Sequence, residues 1–216
     1  MISEQEKRNT LNKMSDLEYQ KNDTEMMRYR VNGLSHKLGL LGIAFATLAS
    51  FFCLNSMNPN NINVLVMIGI NIAILLLGFL FCENAKNYSA RGCISLIVLG
   101  GVSAASMFYI PVILFANYST YVSQYNIVND TTKTAEEINA AKKVMESAKL
   151  NLGETITSYY EGNTAVSFLG HDGNVRAILA MIFFAAGAAL FIAAGVIGYL
   201  RSMKLSRYLD SIKEKN

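Results

Sequence analysis

The chain has no tryptophan, two prolines, two histidines and three cysteines in 216 residues. Each shortage excludes something. No cysteine falls between Asn117 and Asn174, the longest polar stretch after the N-terminal third, so no disulfide framework is implied there. His36 and His171 lie far apart, with three long apolar runs between them. They supply no Ser-His pair and no two-histidine metal motif, and no glycine-rich phosphate loop follows a strand. Charge is also missing, and its absence is local. Four runs, Leu38 to Met57, Ile62 to Cys82, Cys93 to Ala116 and Val175 to Leu200, contain no Asp, Glu, Lys, Arg or His except Arg176 at the edge of the last.

Those runs set the class. A helix rises about 1.5 Å per residue, so about 20 apolar residues cross a hydrocarbon core about 30 Å thick. The sequence therefore predicts an all-α membrane protein, a bundle of four transmembrane helices. Residues 1–37 form a polar N-terminal tail, 38–116 the first three spans, 117–174 a long loop, 175–200 the fourth span and 201–216 a basic tail. Seven Lys and Arg precede span one, Lys86 and Arg91 separate spans two and three, and five follow span four. The link Asn58 to Asn61 has none. By the positive-inside rule both termini are expected in the cytoplasm and the long loop outside. Span one is expected to act as the insertion signal, because the first 37 residues are polar. Many Asn, Lys and Ile residues and the lack of tryptophan suit a bacterial cell membrane.

The tail carries seven basic and six acidic residues, interleaved. Ser15-Asp16-Leu17-Glu18 has the form of a capping box, which predicts a helix through Glu25 that can merge into span one. Near-balanced charge argues against a helix lying on anionic lipid, apart from Arg28, Arg30 and Lys37 beside the membrane. The three cysteines, Cys53, Cys82 and Cys93, read as buried small residues.

Small residues recur at four-residue spacing in every span: Gly42, Ala46 and Ser50 in the first, Gly69 and Ala73 in the second, and Gly101 and Ala105 beside Gly100 and Ala104 in the third. Span four has the row Ala185, Ala189 and Ala193 and a second row of Ala194 and Gly198. Such ridges let helix backbones approach closely, so that van der Waals contact does what hydrophobicity cannot do in lipid. They are expected to pack the helices together or to form an oligomer face. Pro111 is expected to kink span three.

The long loop predicts a small, mainly helical hairpin. Tyr118, Val122, Tyr125 and Val128 continue the helical period of span three. Thr134-Ala135-Glu136-Glu137 has the form of a capping box, and Ile138, Ala141, Met145, Ala148 and Leu152 then follow at steps of three and four before Gly153. Tyr118, Val122, Tyr125, Ile138 and Met145 are its candidate partner face. Residues 155–169, with two β-prone stretches about Gly162-Asn163, suggest a β-hairpin or a loop resting on the membrane. Tyr118, Tyr121 and Tyr125 suit an aromatic belt at the outer interface, and Tyr199 one at the inner.

Within the spans the polar residues are few. Asn71, mid-span, is the candidate intramembrane polar site, since an amide in hydrocarbon needs a partner. His36 beside Glu83 or Arg91, and His171-Asp172, are the remaining single-residue candidates. The seven acidic and four basic residues from Asn117 to Asn174 exclude a nucleic-acid surface there. Asn-x-Ser/Thr at Asn87, Asn117 and Asn129 is too frequent by chance to use. The plan resembles that of the tetraspanins in topology alone, since their cysteine-bearing loop motif is absent. No catalytic residue, metal ligand or cofactor site is expected. The expected role is a non-enzymatic interaction or assembly component with membrane lipids and other membrane chains as partners, as an oligomer or a subunit. The alternative is a small channel or transporter subunit, whose pathway would form by oligomerisation at Asn71 and the intramembrane serines.

Overall fold

The computed structural model describes Glu18 and residues 21–58, 60–153 and 173–214. Among these residues it is all-helical. The helices are α1 (Gly33–Leu54), α2 (Ile62–Lys86), α3 (Ala90–Val128), α4 (Ala135–Lys149) and α5 (Gly173–Lys213), and an isolated antiparallel bridge joins Met57 to Leu152. Four of them, all but α4, are long and apolar enough to cross a membrane. The chain is a helical multi-pass membrane protein.

Each helix starts where local chemistry allows it. The Asn61 side chain accepts from the Asn63 amide at the start of α2, and Ser89 accepts from Gly92 at the start of α3. Thr134 and Glu137 form a reciprocal capping box on α4. No side chain caps α1. Its entry is fixed from a distance, because the Asn32 amide donates to the Lys86 carbonyl at 2.8 Å. The helical turn at residues 21–26 does not merge into α1. A turn follows it, and Asn32 sits at φ −76° and ψ 69°, outside the helical region.

The four spanning helices form a ring. α5 packs most extensively on α3 and α1, α2 closes the other side against the same two helices, and the diagonal pairs scarcely touch. One core, with Phe52, Met67, Leu114, Tyr121 and Phe184, lies toward the α4 end. The other, with Ile43, Ile74, Leu96 and Phe191, lies toward the link between α2 and α3. α2 is the least enclosed span and turns Leu65, Leu76 and Phe79 outward, as suits a helix facing lipid tails.

Two helices outlast their apolar runs. At 39 residues α3 is about 58 Å long, and at 41 residues α5 is about 62 Å long, each about twice the hydrocarbon thickness. They overrun at opposite ends, because their backbones run antiparallel. α3 continues through Pro111 to Val128 with α4 packed against it, while α5 continues past Leu200 to Lys213. Residues 155–169, proposed from sequence as a hairpin or surface loop, lie outside the described residues, as do His171, Asp172 and the Ser15-Asp16-Leu17 part of the expected N-terminal capping box.

Candidate functional site

At the end of the bundle where α2 hands over to α3, the polar groups that the sequence scatters over 170 residues come together. His36 Nε2 lies 2.8 Å from Glu83 Oε1, and Lys86 Nζ lies 3.2 Å from Glu83 Oε2. Glu83 thus ties α1 to the last turn of α2. Arg201 Nη1 donates to Asn32 Oδ1 at 3.0 Å, and Ser202 Oγ donates to the Tyr88 carbonyl at 2.6 Å. Tyr88 is held at φ 56°, a left-handed conformation that costs a residue with a Cβ about 1–2 kcal/mol. Burial raises its hydroxyl pKa, with the nearby Arg201 lowering it and Asp23 raising it further. Beside these groups opens a cavity of about 770 Å³ between α5 and the segment before α1.

The opposite end is closed by a second polar network. Arg176, 1% exposed, donates to the Asn55 carbonyl at 3.3 Å and lies 3.5 Å from Ser56 Oγ. Asn61 Nδ2 donates to Asn151 Oδ1 at 2.5 Å, and Asn151 Nδ2 donates to Asn117 Oδ1 at 3.3 Å. The Gly153 amide donates to the Ser56 carbonyl at 3.0 Å. These bonds pin the end of α4 to the α1–α2 link and to α3. Sequence reading missed this network, although the asparagines clustered between Asn58 and Asn61 were its visible signal. Arg176 stood out at an edge, but nothing in the sequence showed that it would be buried.

The small residues sort into two sets. Gly42, Ala46 and Ser50 are buried on α1, where Gly42 lies against the Phe191 ring and Ser50 Oγ donates to the Ala46 carbonyl at 3.0 Å. Ala194 and Gly198 are buried on α5; Ser35 donates to the Ala194 carbonyl at 2.7 Å, and Gly198 lies against Cys93. Gly101 and Ala105 on α3 face outward, as do Ala185 and Ala189 on α5, and Ala193 is half-buried. The close α3–α5 contact is made by Gly100 and Gly195 instead: a Cβ on Gly100 would lie 3.0 Å from the Ala188 carbonyl oxygen, and one on Gly195 would lie 2.6 Å from that of Cys93. Gly187, which no four-residue row contained, packs on α1.

The stripes of the α3 extension and α4 are spent on each other. Tyr118 is 4% exposed, and Val122, Tyr125 and Met145 pack against the same cluster as Ala148 and Leu152; Ile138 is half-buried. Tyr118 and Tyr121 therefore lie in the core instead of facing a membrane interface, since α4 covers them. Asn71 is half-buried in α2. Its Oδ1 and the Thr47 Oγ1 of α1 are both buried without a hydrogen-bond partner among the described residues. The three cysteines are buried and free. Among the described residues no three His, Cys, Asp or Glu side chains are grouped to hold a metal ion.

No protein-family model, curated protein or solved structure matches this chain. What its residues and packing establish is a helical multi-pass membrane protein with a polar clasp at each end of the bundle.

Proposed function

We propose that this protein is a non-enzymatic component of a bacterial cell membrane that assembles with other membrane chains, as a homo-oligomer or as a subunit. Both termini lie in the cytoplasm, on the charge distribution, and the α3–α4 headpiece lies outside. The observation that carries the assembly reading is the outward placement of Gly101 and Ala105 on α3 and of Ala185 and Ala189 on the adjoining α5. The bundle's own close approaches use other small residues, so these four leave a shallow exterior that a second set of helices can approach. The serines support the same reading. Ser35, Ser50, Ser56, Ser103 and Ser106 each donate to a backbone carbonyl of the bundle, which consumes their polarity in packing.

The test is the mass of the detergent-extracted native complex. A mass above one chain that falls to one chain in the variant G101F/A189F, with unfolding unchanged, is the expected result. A native extract holding one chain and nothing else sinks the reading.

One observation favours the channel-subunit alternative, namely that Asn71 Oδ1 and Thr47 Oγ1, on neighbouring spans, have no hydrogen-bond partner among the described residues. Under that alternative, liposomes containing the protein pass an ion or solute, and Asn71→Leu abolishes the flux.

A further inference from the structure

Where α5 leaves its apolar run it carries Arg201, Lys204 and Arg207 at steps of three, and all three line the cavity of about 770 Å³. Across from them, Arg30 and Asp23 come from the segment before α1. Among the described residues the cavity wall thus holds four cations and one acid, and none of the four cations has a carboxylate oxygen within 4.0 Å. Uncompensated charge of one sign around a concave site attracts an anion of the other.

The rest of the wall says which anion. Ile197 and Leu200, the last turn of the membrane-crossing run, line the cavity together with Met26 and Met27. A small soluble anion would leave these side chains against water. A phospholipid satisfies both halves at once, with its phosphate among the guanidinium and ammonium groups and its acyl chain along the apolar side chains that continue into the bilayer.

The site is also built, beyond what basic residues at a membrane surface require. Arg201 is oriented by Asn32 Oδ1, and Asn32 itself is fully buried with its Nδ2 unpartnered among the described residues. Tyr88, in its left-handed conformation, lines the same cavity. Strain and an unmet buried donor concentrated beside one cavity are the marks of a functional site.

We propose that this cavity binds an anionic phospholipid, its phosphate held by Arg201, Lys204 and Arg207 and its acyl chain lying along Ile197 and Leu200. The site goes beyond the assembly reading and does not depend on it, because a single chain holds every residue involved.

Native mass spectrometry of the full-length protein in mild detergent, titrated with phosphatidylglycerol or phosphatidylcholine, tests it. Phosphatidylglycerol is expected to remain bound at concentrations where phosphatidylcholine does not. K204Q/R207Q is expected to weaken that binding about tenfold or more, at about 1 kcal/mol per basic residue near an anionic surface. K142Q/K143Q, which removes the same charge from α4, is expected to leave it unchanged. If K204Q/R207Q lowers the unfolding temperature without lipid, Arg30→Gln on the opposite wall reads the same loss without altering α5. Equal retention of the two lipids overturns the proposal, as does equal loss in the two double variants. Displacement of phosphatidylglycerol by millimolar inorganic phosphate also overturns it and assigns the cavity to a soluble phosphate ligand.

Discussion

Gly187 rests on Gly42. A Cβ added at Gly187 would lie 3.1 Å from the Gly42 carbonyl oxygen and 3.2 Å from the Ala46 nitrogen, so α5 and α1 meet backbone to backbone at this depth. Contact this close is what dispersion needs to hold two helices together where lipid offers equally apolar surroundings.

Substitutions at glycine separate the inner contacts from the outer surface. Gly195→Ala would bring a Cβ to 2.6 Å from the Cys93 carbonyl oxygen, a backbone atom that cannot swing away. Overpacking of this kind costs about 1–3 kcal/mol and exceeds the roughly 1 kcal/mol that alanine gains over glycine in a helix. Gly187→Ala is expected to destabilise in the same direction. Gly69→Ala meets nothing within 4 Å and is expected to unfold at an unchanged or higher temperature. Thermal unfolding of all three variants in one detergent checks the order, and equal effects would refute the packing described.

Two serines tie α5 to its neighbours. Ser35 Oγ donates to Ala194 on one side, and Ser103 Oγ donates to the Phe184 carbonyl at 3.3 Å on the other. Interhelical hydrogen bonds in membranes average about 0.6 kcal/mol, so Ser35→Ala and Ser103→Ala are each expected to cost about that much, and the double variant about the sum. Equilibrium unfolding in mixed micelles is the measurement. A cost above about 2 kcal/mol for either serine would point to a larger role than one bond.

The start of α4 is expected to respond to pH. Hydrogen bonds from the Thr134 amide and hydroxyl hold the Glu137 carboxyl below its ordinary value of 4.5, and bonds from Thr132 do the same for Asp130 below 3.8. Both groups have folded pKa values below their unfolded ones. Their contribution is therefore fully present above the ordinary values and is lost as pH falls through the lowered ones. Amide protection over residues 131–138, with each rate divided by its intrinsic rate at the same pH, is expected to be flat from neutral pH down to the ordinary carboxylate range and to fall below it. Glu137→Gln is expected to remove most of that dependence, and Thr134→Ala to quicken exchange at every pH, a cap being worth about 1 kcal/mol.

The orientation can be read by labelling. Cys53, Cys82 and Cys93 are each fully buried, so they form a quiet background for a maleimide. Lys133→Cys beside α4 and Lys213→Cys at the end of α5 are exposed positions beyond opposite ends of the bundle. Each is expected to react from one side only, and from opposite sides. Reaction of both from the same side would rule out the four-span path.

Much of the fold is legible residue by residue. The second span begins at Ile62 as expected, because Asn61 ends the link and caps the helix. α3 reaches Val128, as the helical period through Tyr118, Val122 and Tyr125 predicted, whereas α5 runs past its expected end at Leu200 to Lys213: hydropathy marks where lipid stops, and helical hydrogen bonding does not stop there. Four-residue spacing found Gly42, Ala194, Gly198 and the Gly100–Ala104 pair, and passed over Gly187 and Gly195, which make some of the closest contacts. A spacing rule shows that a helix has a flat face, but it cannot show which way that face turns.

The sequence by itself determined the class, the number of spans and the capping box at Thr134, since these depend on the length of apolar runs and on bonds between residues three or four apart. The tertiary structure alone decided which small residues face inward and that Arg176 is buried against Asn55. It also decided that Arg30 and Lys204, 174 positions apart, line one cavity. Such relations depend on how each helix is rotated about its axis against its neighbours, and in a bilayer that rotation is set by close contact among all four spans together.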